Sequence, residues 1–317
     1  MPIQSLIVHL GIHKTGSTAI QFYLWSKQRE LREHGVLYPR EGRPLQTTIQ
    51  FGHHSIAWAA TGRTSVEGTV ERVMKELHEA TDPMAVISSE EFDRLEERQV
   101  RDLLACLRYP TTVVFYYRRQ SDVLQGLYGT DIVYNRVTLP IRRYAETLDV
   151  ELDYWRLATR WANVVGANNI LVRPYRRQLF PRHDIVADFC QSLRIPYLAS
   201  VRDNPIALNL SLPTRVALAV QQLWCTGIPA EYVYKVISAL RLAHTNSAPY
   251  EFMSPAEAHE FDLRFVESNR RFVAEFCPEH SPIEPRSPAC DHEWHSEYDP
   301  VFASVNNHLK SSLNAAT

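Results

Sequence analysis

Six residues, Ser5-Leu6-Ile7-Val8-His9-Leu10, run without a break into Gly11-Ile12-His13-Lys14-Thr15-Gly16-Ser17-Thr18 and then into a helical pattern over 18–34. A short apolar run ending in glycine fits a buried parallel strand. Ile20, Leu24 and Leu31 fall near one helix face, and Gly35 supplies the stop. A helix N-terminus presents free backbone N–H groups and the positive end of the helix dipole, which together attract an anion. Gly16 lets the backbone come close to such an anion. Lys14 adds a charge, and Ser17 and Thr18 add hydroxyl donors. The segment 11–18 is therefore expected to bind phosphate.

Strands and helices alternate further along the chain. GVLYP (35–39) is a second short extended piece, AVISS (85–89) and TTVVFYY (111–117) read as strands, and NILVRPY (169–175) ends the series. Helical patterns lie between them at 66–80, 94–108, 120–135 and 155–165. Residues 40–68, rich in Gly, Thr, His and Gln, read as a long and partly irregular surface segment. This order predicts an α/β fold, a P-loop-type parallel sheet flanked by helices. After residue 205 the strands stop, and 214–225, 230–244 and 255–276 predict a mostly helical C-terminal part. The expected organisation is one domain over 1–317, with a helical extension at 205–290 and a loosely ordered tail at 291–317. A chain of 317 residues that is 45% hydrophobic can bury the core this requires.

The net charge of −2 provides no bulk field toward nucleic acid or an anionic membrane, so anion binding has to come from a local site. The five cysteines are scattered and include no CxxC pair, which suits reduced thiols in the cytoplasm. The N-terminus lacks a signal peptide's basic start, and no stretch approaches the roughly 20 apolar residues of a membrane span. Cys290, His292 and His295 fit no zinc spacing, and no metal is expected. Only five of the 34 Lys and Arg residues are lysine, which singles out Lys14.

The loop does not follow the triphosphatase pattern GxxxxGK[ST], because its lysine precedes Gly16. No strand ends in an aspartate that would help hold magnesium. His13-Lys14-Thr15-Gly16-Ser17-Thr18 after a first strand instead resembles the 5′-phosphosulfate loop of sulfotransferases that use 3′-phosphoadenosine 5′-phosphosulfate (PAPS), in the style of heparan-type and bacterial carbohydrate sulfotransferases. The resemblance implies that Lys14 contacts the bridging phosphosulfate oxygen and that Lys14, Thr15, Gly16, Ser17 and Thr18 hold the 5′-phosphate. Val-Phe-Tyr-Tyr-Arg118-Arg119 resembles the family's 3′-phosphate motif, a strand ending in arginine with a serine about eight residues on. Arg118 takes the arginine position, and Gly126 stands where the serine would be, with Ser121 as a substitute hydroxyl. Tyr175 matches the tyrosine of a strand ending in Tyr-Glu near the adenine, with Arg176 in place of the Glu. The stretch 265–272 (FVESNRRF) also resembles the end of bacterial members.

A hydroxyl acceptor needs a base, usually His or Glu. Two groups qualify. His53 and His54 lie in the irregular segment, where heparan-type relatives carry their catalytic Glu or His. Glu90 follows AVISS at the carboxyl end of a strand, the side on which ligands of open α/β sheets bind. His13 in the loop could touch donor or acceptor, and Arg142-Arg143-Tyr144 could meet an anionic acceptor. The leading expectation is a metal-independent sulfotransferase with a carbohydrate or small-metabolite acceptor. An ATP-dependent kinase-like phosphotransferase and a non-catalytic nucleotide-binding module are the competing readings.

Overall fold

The computed structural model describes residues 3–44, 51–63, 68–148, 151–198, 212–243 and 251–288. The expectations for 291–317 and for Cys290, His292 and His295 lie outside them. The chain divides into two compact units: Met1–Arg118 with Asp149–Asp203 and Phe265–Ile283, and Arg119–Leu148 with Asn204–Arg264 and Glu284–Thr317.

The first unit is built on five strands: β1 (Ser5–Leu10), β2 (Val36–Leu37), β3 (Met84–Ser89), β4 (Thr111–Tyr117) and β5 (Ile170–Pro174). Their order is β2-β3-β1-β4-β5, and every pairing is parallel. Its helices are α1 (Ser17–Ser26), α2 (Gln28–Glu33), α3 (His54–Ala60), α4 (Thr69–Glu79) and α5 (Glu97–Leu107) before β4. The second unit then contributes α6 (Gln120–Tyr134) and α7 (Ile141–Glu146). The first resumes with α8 (Tyr154–Val165) and α9 (Ile185–Leu193), the second with α10 (Thr214–Cys225), α11 (Ala230–Ala243) and α12 (Pro255–Leu263), and α13 (Val266–Phe276) returns to the first.

The apolar runs of β1 and β4 follow from burial on both sheet faces. Leu6, Val8 and Leu10 pack with Val73, Leu77, Val100, Leu157, Trp161 and Phe272. Ile7 on the opposite face packs with Ile20, Leu24, Leu31, Val186 and Phe189. Each such fully buried side chain contributes roughly 1.5–3 kcal/mol relative to exposure.

The predicted helix 18–34 is two helices, because the chain kinks at Lys27 (φ −104°, ψ 12°). The predicted helix 255–276 is also two, broken at Arg264–Phe265, where the chain passes from the second unit to the first. Only Val36–Leu37 of 35–39 pairs as a strand. The irregular segment contains α3, and α9 appears where no helix was expected, started by Asp184 accepting from the Val186 amide at 2.9 Å. Among the described residues no helix is long and apolar enough to cross a membrane.

Candidate active site

With β1 central, successive connections leave it in opposite directions across the sheet. The crevice beyond the carboxyl ends of β1, β3 and β4 is where an α/β sheet opens to a ligand. The loop 11–16 fills that crevice. Gly11 donates to the Ser89 carbonyl at 2.9 Å. A methyl on Gly11 would meet Ser17 Cβ at 3.0 Å and the Glu90 backbone nitrogen at 3.3 Å, so the close approach of loop and β3 needs a glycine. Thr15 is buried, and its hydroxyl donates to the Ile12 carbonyl at 2.6 Å, closing the loop on itself. Lys14 (φ 63°) and Gly16 (φ 80°) are left-handed, which turns the backbone into a concave nest. Gly16 caps α1 with no side chain, and among the described residues no acceptor faces the amides of Gly16, Ser17 or Thr18. These unpaired donors are what a phosphate group would engage.

The end of β3 brings a carboxylate to the same place. The Ser17 hydroxyl donates to Glu90 Oε1 at 2.6 Å, and Gln21 Nε2 donates to Oε2 at 3.1 Å. His54 Nε2 lies 3.5 Å from the same Oε2. Burial pushes the Glu90 carboxyl up, but His54, His13 and the donors Ser17 and Gln21 outweigh it, and the group is held below the ordinary carboxylate range. Burial keeps His13 itself neutral near pH 7. His54 Nδ1 pairs with Ser89 Oγ at 2.8 Å, and that oxygen accepts from the Glu91 amide at 3.1 Å. Ser89 Oγ thereby orients the His54 ring, with Nε2 facing Glu90.

His53 does not share this arrangement. Its Nδ1 accepts from the Ser88 amide at 3.1 Å, and its Nε2 donates to the Pro39 carbonyl at 3.0 Å. Burial, with the Arg43 charge adding, pushes it down to about 3. Both ring nitrogens are consumed by backbone, so His53 fixes the segment that carries His54 and has no lone pair left for an acceptor.

Arg118 follows β4. Its backbone is pinned by the Tyr154 hydroxyl, which donates to the Arg118 carbonyl at 2.7 Å. Its guanidinium donates to the Lys14 carbonyl at 3.3 Å and lies 5.6 Å from the centroid of the Tyr175 ring. Lys14, Arg118 and Tyr175 are thus brought together. Gly126 and Ser121 belong to the second unit, and Ser121 is occupied there: its amide and hydroxyl both donate to Asp262 at 2.9 Å. Arg142 pairs with Glu257 and Arg143 with Glu146, also within that unit. Among the described residues no group of three His, Cys, Asp or Glu side chains is placed to hold a metal ion.

Gln21 and Ser89 were not expected. Gln21 was legible in principle, since helix spacing puts residues 17 and 21 on one face. Ser89 and Tyr154 depend on contacts that no local pattern announces.

No family profile matches the chain. It is 26% identical over 196 residues to an uncharacterized protein of Archaeoglobus fulgidus, a stretch covering 60% of this chain and 53% of that one, so the chain spans about half the length of this relative. The crystal structure of a sulfotransferase from Alicyclobacillus acidocaldarius aligns with 76% of this chain and 99% of its own, at 16% identity and a TM-score of 0.41. A likeness of that size says nothing of the chemistry, which has to come from the side chains themselves.

Proposed function

We propose that this chain is a sulfotransferase that moves a sulfuryl group from PAPS to a hydroxyl of a carbohydrate or small-metabolite acceptor, in line and without a metal. The observation that carries the reading is the 2.6 Å bond between Ser17 and Glu90. It ties the first residue of the anion-binding helix to the carboxylate at the end of β3. A leaving group seated on the loop amides and an acceptor hydroxyl at Glu90 would be neighbours, as in-line transfer requires.

The residues fit such a donor. The amides of Gly16, Ser17 and Thr18 would take the 5′-phosphate, and the Lys14 ammonium would neutralise charge on the departing oxygen. Thr15 would serve by shaping the loop. Arg118 would face the nucleoside phosphate, and Tyr175 beside it would flank the base. Glu90, held ionised, accepts a proton once the acceptor oxygen begins to bond and its proton becomes acidic; His54, whose Nε2 faces it, steadies the carboxylate. His53 supports the pair from behind.

A second reading, magnesium-dependent phosphoryl transfer from ATP, is favoured by the same Ser17–Glu90 contact, because a hydroxyl beside a carboxylate is a donor set magnesium uses. Against it, Glu90 is already held by Gln21 and His54, which a cation would have to displace. Calorimetric titration separates the readings. The sulfotransferase binds 3′,5′-adenosine bisphosphate far more tightly than ATP with or without magnesium, and Lys14→Ala abolishes transfer while leaving the thermal midpoint unchanged. Magnesium-dependent ATP binding that exceeds bisphosphate binding, or full activity in Lys14→Ala, refutes the proposal.

A further inference from the structure

The side of α1 that carries Ser17 and Gln21 continues past the Glu90 carboxylate. Trp25 follows Gln21 by four residues, so the two are neighbours on the helix surface, about 6 Å apart along its axis. Among the described residues of the first unit, Trp25 and Leu179 are the large hydrophobic side chains left exposed, and Trp25 is 38% open to solvent.

A single exposed hydrophobic residue needs no function. Trp25, however, is the outer member of a cluster. Its ring lies 4.8 Å from that of the buried Phe51 and 5.6 Å from that of the half-buried Phe22. Phe22 meets Phe51 edge-on at 5.0 Å. Phe51 is fixed from behind, because its carbonyl accepts from the Tyr38 hydroxyl at 2.8 Å. The three rings make a platform with a buried base and an exposed outer ring.

Two elements tie this platform to the candidate base. Phe51 and His54 are three residues apart on one segment, and Gln21 and Trp25 four apart on α1. A methyl on Gly52 would stand 2.9 Å from Gln21 Cδ and 2.9 Å from His54 Nε2, so residues 51–54 are pressed onto the helix. Gln21 in turn donates to Glu90, which His54 faces. The rings, Gln21 and the Glu90–His54 pair therefore form one unbroken run of contacts.

The polar side chains near the platform are already engaged. Ser26 donates to the Tyr23 carbonyl at 3.2 Å, and Lys27 pairs with Glu30 at 3.0 Å. Arg43 donates to Gln28 Oε1 and to the Arg40 carbonyl, each at 3.3 Å. A ring bearing several hydroxyls would press them against aromatic carbon without partners, which costs free energy. An apolar ring carries no such cost and gains burial against aromatic faces.

We propose that Phe22, Trp25 and Phe51 form the acceptor subsite, and that the acceptor is an alcohol carried on an apolar ring, with its hydroxyl at Glu90 and its ring against Trp25. This rests on the sulfotransferase reading and selects, within it, a small apolar acceptor over a sugar. The acceptor oxygen bonds to sulfur as the bond from sulfur to the donor's phosphate oxygen breaks. The hydroxyl proton passes to Glu90, and 3′,5′-adenosine bisphosphate leaves with the electron pair of the broken bond.

The test uses the full chain with PAPS as donor, 2-phenylethanol as the apolar alcohol and methyl glucoside as the sugar. The wild type sulfates 2-phenylethanol in preference to methyl glucoside. Trp25→Ala raises the KM for 2-phenylethanol about tenfold, equivalent to about 1.4 kcal/mol, and Trp25→Phe restores most of it. A thermal midpoint and a calorimetric affinity for 3′,5′-adenosine bisphosphate equal to those of the wild type show that the variants fold with the donor site intact. An unchanged KM in Trp25→Ala, or a preference for methyl glucoside, overturns the subsite and leaves the sulfotransferase reading standing. So does a wild type that binds the bisphosphate and transfers to neither alcohol. A wild type that neither binds the bisphosphate nor turns over PAPS overturns both.

Discussion

Two buried histidines make the fold sensitive to mild acid, by an amount that can be worked out. His53 bridges the Ser88 amide and the Pro39 carbonyl, and burial holds it at about 3. His9 on β1 pairs with Ser88 Oγ at 2.7 Å against the Phe189 ring, and burial, partly opposed by Glu90, lowers it to about 4. Unfolded, both titrate near 6.5. Below that value the unfolded chain binds protons that the folded one refuses, so stability falls as pH falls, from about 6.5 down toward the folded values. Each histidine contributes a loss of about 2 kcal/mol between pH 7.5 and 5, and the pair about 4 kcal/mol. The figure depends on the folded values lying well below 5, not on how far below. His13, lowered in the same direction, adds to it. Carboxylates titrate mostly beneath this window. Against a typical total of about 5–15 kcal/mol the loss is large. Denaturant unfolding at the two pH values measures it, with His53→Asn as the control, because Asn can still accept from the Ser88 amide but does not titrate. The variant should lose about 2 kcal/mol less between pH 7.5 and 5 than the wild type. An equal loss in variant and wild type, or a wild-type loss under 1 kcal/mol, refutes the reasoning.

Gly16→Val places a β-branched side chain at φ 80° with its Cβ 2.8 Å from Ile185 Cδ1, and should cost about 2–4 kcal/mol in denaturant unfolding and weaken bisphosphate binding; a loss below 0.5 kcal/mol means the loop is not held as described. Glu90→Gln keeps the size of the side chain and removes the charge that Ser17, Gln21 and His54 surround. The turnover number should drop about a hundredfold with bisphosphate affinity within threefold of wild type, and an unchanged turnover number removes Glu90 from the chemistry.

The elements that were legible share a physical cause. A parallel strand buried on both faces must be apolar throughout, so Ser5–Leu10 and Thr111–Tyr117 stand out as runs, and Gly11 ends the first of them. α9 went unread, although Asp184 caps it and Ile185, Val186, Phe189, Cys190 and Leu193 recur at helical spacing. The seven residues of α3 are too few for a period to emerge from a polar segment. The break at Arg264 leaves no mark either, because helical periodicity can continue across a turn between two helices.

For the site, local sequence determined the strand end, the glycine and the helix start at 11–18, on which the expectation of an anion site rests, because these lie within a few residues of one another. It offered His53, His54 and Glu90 as candidate bases and went no further. The tertiary structure separated them. β1 and β3 pair with Leu10 opposite Ser89, and that register places Glu90 against Ser17, seventy-three residues away. It also turns His54 toward Glu90 while His53 is taken up by the Ser88 and Pro39 backbone. A slip of one residue would send these side chains to opposite faces. Register is decided by the packing of the whole core, and so the roles of neighbouring histidines could be read only once the chain was folded.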